Sequence, residues 1–303
     1  MRLFRAVLVP VDGSAFAEQA LPLAVEVARR SAAILQLARV HVPIMTYGAG
    51  LEVAALDPSL DRQVQEGEEA YLKALQQRLA TGENLPVSAS LLTGGIAPAI
   101  EDQVRSTGAD LVILTTHARG PVARFWLGSV ADRLIRSLNV PLLLIPPRAD
   151  ANAVHEIRRI LVPLDRSPLA ESVLDVAQGF GRLFGASFLL YHCVEPPLPI
   201  MDPMGVMAQF PDPDAVEQLR ALGMRYLEGV AARLRDQGEQ IATLVTEEAV
   251  AARGILDQAA SEHADLIAIA THGAGGVSRM LVGSVADKVI RGATVPVLVY
   301  RPA

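Results

Sequence analysis

Near the end of the chain, Ala270-Thr271-His272-Gly273 is followed by nine residues and then by Gly283-Ser284. These residue types at this spacing suit the binding of an anion. Glycine lets backbone amides approach a ligand with no side chain in the way. A serine at a helix start leaves the first amides of that helix facing outward, where they and the helix dipole favour a phosphate. An altered copy, Thr115-Thr116-His117-Ala118, nine residues and Gly128-Ser129, lies 155 residues earlier (283 − 128). Ser129-Val130-Ala131-Asp132 and Ser284-Val285-Ala286-Asp287 fit a capping box, with Ser as N-cap. Asp12 and Asp165 each end an apolar run. A carboxylate there suits hydrogen bonds from ribose hydroxyls or an adenine amino group, or else caps the helix that follows.

Other chemistry is thinly represented. The chain has neither G-x-x-x-x-G-K-[ST] nor G-x-G-x-x-G, the two commonest nucleotide loops. It has no G-x-S-x-G, no Cys–His constellation and no repeated close carboxylate pair, so dedicated catalysis is not expected. His41 with His192, and His117 with His272, recur at matching places, but no third ligand recurs with them, and they read as structural. Arg124 and Arg279 read as solvated loop arginines ahead of phosphate contacts. Met201, Met204 and Met207 read as an apolar flap or interface.

The elements that position these residues come as a tandem repeat. Val9-Pro10-Val11-Asp12-Gly13-Ser14 matches Val162-Pro163-Leu164-Asp165-Arg166-Ser167 at an offset of 153 (165 − 12). The offset is 151 at His41 and His192, and 155 from Ala109-Asp110-Leu111 onward. Drift this small, confined to loops, indicates one duplicated domain, with halves at 1–147 and 153–303. In the first half, strands are expected near 6–11, 34–42, 86–92, 111–115 and 141–145, and helices near 14–31, 61–80, 97–107 and 130–138. Near-continuous apolar strands alternating with helices predict a doubly wound α/β fold with parallel strands. In such a sheet a ligand lies beyond the strand C-termini, where both motifs fall. Ser167 with Pro168 behind it predicts a helix N-cap.

Composition narrows the class. Of 303 residues 51% are apolar, enough for two cores, and the net charge of −6 argues against binding nucleic acid through its backbone. The lone cysteine, Cys193, excludes an internal disulfide and fits a reducing compartment. No apolar run reaches the ~20 residues of a membrane span, and the N-terminus runs into a strand without a signal peptide. A soluble cytoplasmic protein is expected.

Taken together, Pro-Val-Asp-Gly-Ser, His-Val, Ala-Asp-Leu, the spaced Gly-Ser followed by Val-Ala-Asp and the final Val-Pro-Val-Leu-Val resemble the universal stress protein family, in both halves. The resemblance implies two five-stranded parallel sheets of order 3-2-1-4-5, with ATP between the ends of the first and fourth strands. ADP, AMP and accompanying Mg2+ stay open. In the second half it implies that Asp165 meets the nucleoside, Cys193 takes the adenine-contacting position, and Thr271, Gly273, Gly283, Ser284 and Val285 line the phosphates. The first-half counterparts are Asp12, Val42, Gly128 and Ser129. There Thr115 and Ala118 replace family glycines, and each adds a Cβ where backbone must approach phosphate. It further implies an intramolecular pseudo-dimer of the halves and a homodimer through the fifth strands, with neither nucleic acid nor membrane as partner. The expected role is regulation through a bound nucleotide, with at most slow hydrolysis. A nucleotide-free interaction module of the same fold is the alternative, and an enzyme acting on adenylated substrates is a third reading that lacks an acid–base pair.

Overall fold

The structure is a computed structural model that describes residues 3–43, 45–47, 54–56, 58–116, 127–147, 156–196, 200–201, 207–209, 213–271 and 283–302. It divides into two compact units, Met1–His155 and Glu156–Ala303. In chain order the first unit runs β1 (Ala6–Pro10), a 3-10 turn (Ala17–Ala20), α1 (Leu21–Ser31), β2 (Ile34–His41), β3 (Met45–Tyr47), β4 (Ala54–Leu56) and α2 (Pro58–Glu83). It continues through β5 (Val87–Thr93), α3 (Ile96–Thr107), β6 (Leu111–Thr115), α4 (Ser129–Ser137) and β7 (Leu142–Ile145). The second unit runs β8 (Arg159–Pro163), α5 (Pro168–Glu171), α6 (Leu174–Phe184), β9 (Ser187–Val194), β10 (Ile200–Met201), β11 (Met207–Gln209) and α7 (Pro213–Arg235). It ends with β12 (Ile241–Glu247), α8 (Ala251–Ser261), β13 (Leu266–Ala270), α9 (Ser284–Gly292) and β14 (Val297–Tyr300).

In the first unit β1 lies between β2 and β6, with β5 beyond β2 and β7 beyond β6, all parallel. In the second unit β8 takes the centre between β9 and β13, flanked by β12 and β14, again all parallel. Counting only these five strands, each unit has the order 3-2-1-4-5. The central strands are sealed on both faces, which is why their sequences are runs of Val, Leu and Ile: Val7–Val9, Leu111–Ile113, Ile160–Val162 and Leu266–Ala268 are fully buried. The hairpins β3–β4 and β10–β11 are antiparallel insertions after the second strand of each unit.

The helix expected over 14–31 is broken. A 3-10 turn comes first, and α1 starts afresh at Leu21 with Pro22 in its first turn. Proline has no N–H to donate to the preceding turn, so it suits a helix start and interrupts a continuous helix.

Paired polar contacts hold corresponding elements in both units. Asp110 accepts from the amides of Arg5 at 3.0 Å and Ala6 at 3.1 Å, and Asp265 from those of Arg158 at 2.8 Å and Arg159 at 3.0 Å. The Ala-Asp-Leu motif thus pins the start of the central strand. Tyr71 donates to Glu18 at 2.9 Å and Tyr226 to Glu171 at 2.9 Å, and each glutamate also pairs with an arginine, Arg78 or Arg233. Burial and the adjacent carboxylates push both phenols well above the usual tyrosine range.

Candidate functional site

The C-terminal ends of parallel neighbours share one edge of the sheet, so Asp165 after β8 and Thr271 after β13 lie at a common crest, as do Asp12 and Thr116 in the first unit. Asp165 Oδ1 accepts from the Ser167 amide at 3.0 Å and its hydroxyl at 2.5 Å. Ser167 Oγ in turn accepts from the Ala170 amide at 3.0 Å, the predicted N-cap of α5. The first unit repeats this turn: Asp12 Oδ1 accepts from Ser14 N at 2.9 Å and Ser14 Oγ at 2.5 Å, and Ser14 Oγ accepts from Ala17 N at 3.1 Å. Both aspartates therefore organise a helix start, and both remain exposed at the crest. The middle residue of the turn adopts the left-handed region in each copy, Gly13 at φ 82° and Arg166 at φ 69°.

The loops after β6 and β13 are closed by the same bonds. Thr116 N donates to Ile145 O at 3.1 Å and Gly128 N to Thr116 O at 2.8 Å. Thr271 N donates to Tyr300 O at 3.0 Å and Gly283 N to Thr271 O at 2.6 Å. Gly128 and Gly283 are the N-caps of α4 and α9, with extended angles of φ −60°, ψ 145° and φ −57°, ψ 144° that other residues adopt readily. A Cβ on Gly128 would meet Thr116 O at an ordinary 3.6 Å. Neither the backbone angle nor the packing of the described residues requires glycine at 128.

The capping box does not form. Glycine takes the N-cap, so Ser129 and Ser284 move to the first helical position, where they are exposed. Asp132 turns to Arg136 at 2.9 Å and Asp287 to Arg291 at 2.9 Å, four residues on. Val285 follows in the first turn of α9, as Val130 does in α4. Gly273, His272, His117, Ala118, Arg124, Arg279 and Met204 lie outside the described residues. Met201 and Met207 are backbone register partners across β10–β11.

The second strands diverge. Cys193 is half-buried in β9, with its thiol 3.8 Å from the Glu248 carbonyl it donates to, and burial pushes that thiol up. Val42, just past β2, is exposed. The histidines before them are both buried, but His192 Nδ1 lies 2.7 Å from the Leu164 carbonyl, whereas His41 lies between the carboxylates of Glu68 and Asp61. Beside His41, Arg39 pairs with Glu68 at 3.0 Å and its guanidinium sits 5.5 Å from the Tyr71 ring centre. Nothing in the spacing of the sequence signalled this first-unit cluster, because its members come from a strand and from a helix beyond the intervening hairpin. The crest thus offers a carboxylate, helix amides that no side chain of the described residues caps, and small residues, a set suited to a phosphorylated ligand.

Comparison with known proteins agrees with the fold. The model of the Universal stress protein family matches residues 3–146 and again residues 156–301. A universal stress protein of Mycolicibacterium smegmatis is 27% identical over 298 residues, covering 98% of this chain and 97% of that protein. The crystal structure of a universal stress protein from Archaeoglobus fulgidus superposes with a TM-score of 0.68 at 19% identity, over 100% of this chain and 97% of that one. A universal stress protein in complex with cAMP resembles 48% of this chain and 98% of its own, with a TM-score of 0.36 at 20% identity.

Proposed function

The chain belongs to the universal stress protein family, and from that premise we propose that it binds an adenine nucleotide at the crest of its second unit and uses it as a regulatory ligand. The observation that carries this reading is the glycine N-cap of α9. Gly283 has extended angles open to other residues, gives the first amides of α9 no side-chain cap, and donates a hydrogen bond to Thr271. Bare N-terminal amides and the positive end of the helix dipole favour phosphate oxygens. Asp165 is assigned to the nucleoside, the Cys193 position to the adenine, and Thr271, Gly273, Gly283, Ser284 and Val285 to the phosphates. ATP is the favoured ligand, with Mg2+ as companion, and ADP or AMP are the alternatives to be resolved by chemistry.

The first unit retains Asp12, Val42, Gly128 and Ser129 but carries Thr115 and Ala118 where the second has Ala270 and Gly273. We assign it the weaker site, within a 1–147 domain that serves mainly as structural partner to 153–303. The two halves are read as an intramolecular pair that associates further into a homodimer, in the cytoplasm. If both crests have lost their ligand, the same fold acts as an interaction module, a reading favoured by the first unit's substitutions.

The test is to denature the purified protein, identify any released nucleotide by chromatography, and measure thermal stabilisation by added ATP. Gly283→Val should abolish both signals and Gly128→Val should leave them near the parent's. Finding no nucleotide in the parent, and no stabilisation by ATP, would establish the interaction module instead.

A further inference from the structure

Both ring nitrogens of His41 face carboxylates of α2. Nδ1 lies 2.7 Å from Glu68 Oε2 and Nε2 lies 3.1 Å from Asp61 Oδ1, on a side chain that is only 3% exposed. A neutral imidazole has one N–H, so it donates to one carboxylate and turns a lone pair on the other. Only the imidazolium donates to both. The other oxygen of Glu68 accepts from Arg39 Nη2 at 3.0 Å, and Arg39 lies over Tyr71. With His41 protonated, Asp61, Glu68, Arg39 and His41 sum to zero charge; with it neutral they leave a net negative charge in a largely enclosed place. The flanking strands β1 (Ala-Val-Leu-Val-Pro) and β5 (Val-Ser-Ala-Ser-Leu-Leu-Thr) bring no titratable side chain.

The second unit lacks every charged member of this cluster. His192 bonds a backbone carbonyl. Gly223 stands where Glu68 would be (223 − 68 = 155), and a Cβ there would already meet His192 Cδ2 at 2.5 Å. Leu190 replaces Arg39 (190 − 39 = 151) and is fully buried.

We propose that protonation of His41 clamps the first turns of α2 onto the end of β2, giving the first unit a proton-operated latch that the second unit does not have. Burial by itself lowers the affinity of the ring for a proton, but hydrogen bonds and charge from Glu68 and Asp61 outweigh it, and the pKa of His41 is raised above the ordinary 6.5. A group raised in the folded state stabilises it fully below its unfolded value. That stabilisation is lost as pH climbs through the folded value. The latch is therefore closed in mildly acidic solution and released on the alkaline side. Release frees the start of α2, which follows the β3–β4 hairpin in the chain. This inference does not depend on nucleotide binding.

The experiment is hydrogen exchange by mass spectrometry on the full chain at about pH 6 and about pH 8.5, corrected for intrinsic exchange. Peptides covering Asp61–Leu72 are compared with the matching Val216–Leu227 of α7, an internal control without the carboxylates. Protection of the α2 peptides should fall selectively at the higher pH, and His41→Gln should remove that difference. Should His41→Gln fail to fold, Glu68→Gln keeps the shape but takes away one charge, and should move the loss of protection to lower pH. The proposal fails if the two helices keep a constant ratio of protection across the range. It fails equally if Glu68→Gln leaves the transition where the parent has it.

Discussion

Replacing Gly13 with alanine strikes two features at once. The residue sits at φ 82°, and a Cβ built on it runs deep into the Nη1 atom of Arg39. The left-handed conformation costs a non-glycine residue about 1–2 kcal/mol, of which the stiffer unfolded chain returns about 0.4–1 kcal/mol. A free arginine would step aside at little cost, but this one is held by Glu68 at 3.0 Å and by the Tyr71 ring. Losing a hydrogen bond between charged groups costs about 1.5–3 kcal/mol, and the cation–π contact adds about 0.5–1 kcal/mol. The sum for Gly13→Ala is about 3 kcal/mol, against a backbone term of only about 1 kcal/mol once Arg39→Leu has cleared the space. Urea unfolding followed by fluorescence of Trp126, the single tryptophan and a first-half residue, measures all four corners of the cycle. A coupling of about 2 kcal/mol is expected. Additivity within about 0.5 kcal/mol would refute the reasoning, because it would mean that Arg39 is not held where Gly13 needs space.

Two further outcomes follow from the second unit. Arg166→Gly relieves a left-handed arginine at φ 69° with the flanking Asp165–Ser167 contacts intact, and should stabilise the second unit by up to about 1 kcal/mol in calorimetry, where a loss of more than that would contradict it. Burial raises the Cys193 thiol, so its labelling by a maleimide, followed by mass spectrometry, should reach its half-maximal rate above the ordinary thiol value of about 8.5; a midpoint at or below that value would contradict it.

The central strands were legible because strands buried on both faces leave apolar runs. The Ser167 cap was legible too, since Ser-Pro can only begin a helix there. Two local readings failed for stated physical reasons. Pro22 splits the segment read as one helix, and the glycine before Ser129 and Ser284 takes the cap that the serines were expected to supply. Asp132 and Asp287 then find arginines four residues on, a pairing equally present in the sequence and stronger than a back-bond to a serine already inside the helix. The His41 cluster was invisible for a different reason: its partners lie 20 and 27 residues away on another element, and repeat matching marked the two histidines as equivalent when only their backbone positions are.

The bonds from Gly128 to Thr116 and from Gly283 to Thr271 tie each crest loop shut at its neck. The entropy of closing the loop is met by the framework, and grows only slowly with what the loop contains. Each tie is made by backbone atoms alone, so it does not depend on which side chains stand at its two ends. Duplication gave this chain two such necks, tied by the same backbone bond although the motif reads Thr115-Thr116-His117-Ala118 in one copy and Ala270-Thr271-His272-Gly273 in the other. A duplicated domain of this construction is free to keep its shape and trade its chemistry.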